Sequence, residues 1–158
     1  METKGIVLLG LHRSTDEQVF SRHVAKAGYK PVALFDTSAI IDMFGRTGVH
    51  ACIMDLNFKH PNTDNLEPAQ TVVNFLKNRG EFLPSIYMGL SGRNSLIEAA
   101  HLKGIPAYRY LTNFSDEGPR VKAFLNREEQ FAPANFPAEP AELVKYFAKI
   151  SGLHTQIQ

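Results

Sequence analysis

The sequence predicts an α/β domain built on a doubly wound, parallel five-stranded sheet with helices on both faces. Three observations lead there. Short, near-continuous apolar runs alternate with amphipathic stretches along most of the chain. The runs are too uniformly apolar for a sheet wetted on one side, so each strand must be covered on both faces by helices. The connections are short, and right-handed crossovers between them give a doubly wound order. An extra segment precedes the last helix.

Each element follows from its local pattern. Residues 5–10 (GIVLLG) form a buried strand by length and branching. Ser14 and Glu17 have capping-box spacing, Val19, Phe20, Val24 and Ala27 share a helical face, and Gly28 ends that helix. Residues 31–35 (PVALF) are the second strand, residues 38–44 a short helix, and residues 49–54 (VHACIM) a third strand that ends at Asp55. A polar loop over 57–65 leads to a helix over 68–77. Residues 85–90 (SIYMGL) are the fourth strand, 94–103 a helix stopped by Gly104, and 107–111 (AYRYL) the fifth strand. Val121, Phe124 and Leu125 give 120–127 helical spacing. The proline-rich stretch 131–140 is a loop or a sixth, edge strand, since proline argues against a central one. Leu143, Phe147 and Ile150 line one face of a final helix over 142–150, and the tail over 151–158 frays.

Bulk composition narrows the function. The 158 residues are 44% hydrophobic and 21% charged, which fits one domain over 1–158 able to bury a sizeable core. A net charge of +1 advertises neither nucleic acid nor membrane as partner. No apolar run approaches the ~20 residues needed to span a bilayer, and the run after Met1 is too short for a signal-peptide core. Cys52, the sole cysteine, lies in an apolar run and reads as a small hydrophobe in a reducing, cytoplasmic setting. His12, His23, His50, His60, His101 and His154 are scattered without zinc-site spacing, so no metal centre is expected. Lys4, Arg13, Arg22 and Lys26 read as a solvated basic face.

In such a sheet, ligands bind beyond the carboxyl ends of the strands. The residues there are Leu11, His12 and Arg13 after strand one, Asp55 after strand three, Ser91 and Gly92 after strand four, and Thr112 and Asn113 after strand five. A strand ending in Asp55, then loop and helix, then a strand ending in Leu90-Ser91-Gly92, resembles the receiver domain of response regulators. Gly28-Tyr29 before strand two and Lys103-Gly104 before strand five add to the likeness. It covers about residues 4–114. An insertion over about 115–137 would follow, and a final helix over about 139–151 would match the family's fifth.

The resemblance implies Asp55 as the phosphoacceptor position, Ser91 as the switch hydroxyl, and Tyr108 or Tyr110 as the switch aromatic. It also implies an acidic pair for magnesium after strand one, where Leu11 and His12 stand here, and a lysine after strand five, where Asn113 stands. Ala134-Asn135-Phe136 is a later candidate for that last position and also lacks a lysine. Leu11, His12, Asn57 and Asn113 would line the pocket. Neither Leu11 nor His12 is a hard oxygen ligand, so the cofactor expectation is none, with Mg²⁺ only if Asp55 is phosphorylated.

The reading is therefore an atypical receiver, a non-enzymatic pseudo-receiver of two-component signal transduction that works by protein contact. His12 or Arg13 would supply a cation near Asp55. The expected partner is a signalling protein such as a histidine kinase. A homodimer through the family's helix four–strand five–helix five face is also expected, here residues 102–111 and the final helix. One alternative is a phosphorylatable receiver in a phosphorelay, with Asp16, Glu17 or Asn57 recruited to hold the cation. A second is a flavodoxin-like nucleotide-binding module using the loop at 10–15 as a phosphate cradle, although Asp16 and Glu17 would repel an anion. An enzyme using Ser91 with His12, or Cys52, is a third; no nucleophile-elbow motif surrounds Ser91.

Overall fold

The computed structural model describes residues 3–151, and the sequence-based expectations for the tail, His154 included, lie outside the described residues. The order is β1 (Ile6–Gly10), α1 (Ser14–Lys26), β2 (Lys30–Ala33), α2 (Thr37–Arg46), β3 (Val49–Asp55), α3 (Glu67–Asn78), a helical turn α4 (Leu83–Ile86), β4 (Tyr87–Ser91), α5 (Asn94–Leu102), β5 (Ala107–Arg109), α6 (Phe114–Leu125) and α7 (Pro140–Ile150). Between the last two lie short 3-10 turns at Glu129–Phe131 and Pro133–Asn135. The strands form one parallel sheet in the order β2-β1-β3-β4-β5. Strand order reverses between β1 and β3, which opens a crevice beyond their carboxyl ends.

Alternate residues of the central strands feed two cores. Leu8, Cys52 and Met54 face a core with Ile40, Phe44, Val72, Leu76, Leu96 and Ile97 from α2, α3 and α5. Val7, Leu9, Ile53, Met88 and Leu90 face one with Phe20 and Val24 of α1 and Val121 and Phe124 of α6. This period-2 split of strands with both faces buried is what their continuous apolar runs require. Cys52 is fully buried, as a small hydrophobe. Gly89 is needed in β4: a Cβ there would fall 2.4 Å from a Leu56 methyl, so its absence lets the turn after Asp55 pack tightly across the sheet.

Three expectations are corrected. The helix after β5 begins at Phe114, well before residue 120, so 115–137 is not simply an insertion. Gly118 and Pro119 are poor helix formers, but the buried Glu117 side chain bridges them. It accepts from the Leu111 N–H at 2.9 Å and from Arg120 at 2.6 Å, while Arg120 also donates to the Arg109 carbonyl at 2.7 Å. These bonds, which tie the turn back to the end of β5, hold it against local propensity. Residues 131–140 form 3-10 turns and loop, with no sixth strand. The Ser14–Glu17 capping box does not form: Arg13 is the N-cap, without a side-chain cap bond, because the helix already includes Ser14 and Asp16 turns inward.

The helix directly after β5, packed beside α1 in one core, is α6; the final helix α7 is an addition and does not take that place. It docks on α5 and the β5 edge. Phe147 is fully buried, stacked on His101 at 5.4 Å and edge-on to Tyr108 at 6.4 Å. Phe131 packs edge-to-face on both Tyr108 and Phe124. Within the face expected to dimerise, the final helix packs on the β5 part, whereas Leu102 stays exposed. Phe147→Ala should cost about 3–5 kcal/mol, the usual penalty for emptying a buried aromatic site. A lower urea midpoint with an unchanged denaturant slope would register it; no shift would mean that α7 is not firmly docked.

Candidate functional site

Asp55 ends β3 at the crevice, only 3% exposed. A cleft of about 550 Å³ opens beside it, lined by His12, Arg13, Asp16, Asn57, Ser91 and Tyr110, among others. The Tyr110 hydroxyl donates to Asp55 Oδ1, reaching across from the residue just past β5. The backbone N–H of His12 donates to Oδ2 at 2.7 Å. The His12 ring lies close by, its Nε2 3.8 Å from Oδ2 and 2.8 Å from Asn57 Oδ1. Because Asn57 Nδ2 donates to the Thr63 carbonyl at 2.8 Å, its Oδ1 accepts, and that places the imidazole proton on Nε2.

Asp16 is the second buried carboxylate of the cleft, 2% exposed. Arg13 clamps it with Nε 3.0 Å from Oδ2 and Nη2 3.3 Å from Oδ1. The guanidinium is otherwise largely in water, and the Asp16 bonds hold its pKa above the ordinary value. Arg13 is thus part of the site as well as of the basic surface. Burial pushes the Asp55 carboxyl above its ordinary value of 3.8, against the opposing pull of the Tyr110 and His12 bonds and with added repulsion from Asp16. Burial and the adjacent carboxylate hold the Tyr110 phenol well above its usual range, so it stays a donor.

Of the sequence-derived residues, Asp55, Ser91, His12, Asn57 and Tyr110 meet at this cleft. Ser91 is 4% exposed, and its Oγ accepts from the Arg93 N–H at 2.9 Å, a helix-entry bond ahead of α5. Leu11 and Asn113 are corrected. Leu11 is buried in the α1–α6 core and borders a neighbouring recess, since an apolar side chain there gains more from packing than from the polar crevice. Asn113 is exposed and bonded to Asp116, because the chain turns away into α6 once past Tyr110. Tyr108 lies in the core beneath Phe131 and Phe147, apart from Asp55. Glu17 borders the Leu11 recess and does not line the cleft.

The hard oxygens of Asp55, Asp16 and Asn57 already accept protein hydrogen bonds. Among the described residues no group of three or more His, Cys, Asp or Glu is placed to hold a metal. What sequence reasoning missed was Asp16 as a partner of Arg13 in the cleft, and Tyr110 as the donor arriving from strand five. The i,i+3 spacing of Arg13 and Asp16 was a usable signal for the first; nothing local signals the second.

The fold is that of response-regulator receiver domains. Full-length FixJ from B. japonicum superposes with a TM-score of 0.59 at 13% identity over 84% of this chain; the match spans 61% of the FixJ chain, so this chain accounts for less than two thirds of that protein. The receiver domain of the Saccharomyces cerevisiae response regulator Ssk1, solved with the histidine phosphotransfer signaling protein Ypd1, matches with a TM-score of 0.58 at 18% identity, over 80% of this chain and 92% of the other. A de novo designed Rossmann 2x3 protein matches as well, with a TM-score of 0.55 at 19% identity over 80% and 91%. No protein-family model and no curated protein sequence matches.

Two consequences follow for stability. Because the folded pKa of Asp55 is raised, its ionisation opposes folding: the penalty is absent below the ordinary carboxylate value and grows as pH rises through the folded pKa. Asp55→Asn should therefore be more stable than the parent at neutral pH, with the difference shrinking in acid; urea melts across that range test it, and a destabilised variant at neutral pH would contradict it. Tyr110→Phe should lose about 1–3 kcal/mol at neutral pH by stripping a donor from a buried carboxylate. That loss should fall as Asp55 protonates, and a pH-independent loss would point to packing alone.

Proposed function

We propose that the chain is a receiver-type signalling module of two-component-type transduction that works through protein contacts, with no catalytic chemistry and no resident metal. The observation that carries this reading is the state of Asp55. Both of its oxygens are engaged by the protein, one by the Tyr110 hydroxyl and one by the His12 N–H. Phosphoryl transfer to a carboxylate depends on a cation and donors preorganised for the transferred group. Here the arginines lining the cleft are Arg13 and Arg93, and each is paired with another carboxylate, Arg13 with Asp16 and Arg93 with Asp64. Asp55 then serves as a fixed anchor joining the ends of β1, β3 and β5, and holds the surrounding loops in one arrangement.

The partner class that fits is another signalling protein, by analogy with the Ypd1–Ssk1 receiver complex. A cytoplasmic setting suits the single buried thiol, and among the described residues no helix is long and apolar enough to cross a membrane. The rival reading, a phosphorylatable receiver, draws on Asp16, which lies in the cleft and would have to leave Arg13 to help a cation.

Intact-mass measurement after incubation with acetyl phosphate and magnesium, with Asp55→Asn as control, separates the two. The expected result is no phosphoryl adduct on the parent chain under conditions that label an ordinary receiver. An adduct that disappears in Asp55→Asn would overturn the contact-only reading and establish the rival.

A further inference from the structure

A second surface lies at the opposite end of the sheet from Asp55. The segments entering β4 and β5 meet the start of α7 there, around a groove of about 500 Å³. Phe82, Leu102, Pro140 and Leu143 contribute apolar walls. Among the described residues the exposed large hydrophobics are Phe35, Phe82 and Leu102, and two of them flank this groove: Leu102 is 79% exposed and Phe82 45%. Isolated exposed apolar side chains are ordinary; here two of them border one concavity.

The charge at the rim says what kind of partner fits. Lys77 and Lys103 border the groove together with Glu81. Glu81 is paired with Arg79 at 3.3 Å, whereas neither lysine has an ion-pair partner among the described residues. Lys77 Nζ lies 3.9 Å from the position a Cβ would take on Gly104, where the chain turns with φ +75° between α5 and β5. Both lysines thus border the groove without an ion-pair partner among the described residues.

We propose that this groove docks an amphipathic helical segment of a partner protein, its apolar face against Phe82, Leu102 and Leu143 and its acidic side chains against Lys77 and Lys103. Helix-in-groove recognition uses apolar anchors at i, i+3, i+4 and i+7, with flanking charge setting specificity. The added helix α7 supplies Pro140 and Leu143, so the element that closes the β5 edge also builds one wall of this site.

The test uses the full chain and two labelled model helices with the same leucine face, one with glutamates elsewhere and one with lysines. Fluorescence anisotropy should show the acidic helix binding at least about tenfold more tightly, with affinity falling as salt is added. Lys77→Glu combined with Lys103→Glu should reverse the preference, Leu102→Asp should abolish binding, and Asp55→Asn should leave it unchanged. Amide shifts in the bound state should cluster at Phe82, Leu102 and Leu143. Equal binding of the two helices, or none of either, would overturn the proposal. So would self-association relieved by Leu102→Asp, which would assign the groove to a second copy, or sedimentation with phosphatidylglycerol vesicles in place of helix binding, which would assign it to a membrane surface.

Discussion

A carboxylate held at the end of a central strand, nearly out of water, must be met by donors or give up its charge, and Asp55 sets that constraint for the whole upper face of this domain. The donors come from far along the chain: His12 from the loop after β1 and Tyr110 from beyond β5. Each connection fixes a loop. The His12 ring extends the network through Asn57 to Thr63, and Tyr110 packs edge-on to Phe20 of α1. A network of this kind rigidifies a surface when its members are satisfied, because each unsatisfied member would carry a desolvation cost. These bonds tie the loops around the cleft to one another.

The same economy appears at the sheet edges. An open edge strand offers unpaired backbone groups to any neighbouring chain. At one edge, β2 is short and carries Pro31, which lacks a donor. At the other, β5 is shorter still, and the added segment closes over it with Phe131, Phe136 and Phe147 gathered around Tyr108 and His101. His101 belongs to this packing: it bonds the Ala107 carbonyl at 2.9 Å, stacks on Phe147, and burial lowers its pKa, so it stays neutral among apolar neighbours. The β5 edge is thus filled from within, and the groove beside α7 lies next to it.

Fold likeness contributes less to function than these details do. Natural receivers and a designed protein superpose about equally well on this chain, which is what a widely used architecture predicts. The functional reading rests instead on the carboxyl end of β3, where a phenol and a backbone amide meet the Asp55 carboxylate and Arg13 pairs with Asp16.

The sheet, its parallel sense and the positions of Asp55 and Ser91 were legible in the sequence, because a strand buried on both faces writes a continuous apolar run and the residue that follows must stand at the crevice. The buried roles of Cys52 and Phe147 were legible for the same reason: burial is recorded locally in residue type and spacing. Three things needed the tertiary structure. Glu117 carries the helix across Gly118-Pro119 only because Leu111 and Arg120 converge on it; Asn113 leaves the cleft because the chain turns there; and Tyr110 reaches Asp55 across a separation of 55 residues. Periodicity and propensity describe what a segment buries. They carry no record of which distant donor will arrive at a carboxylate, since that is decided by the order of strands in the sheet and the direction in which each loop leaves it.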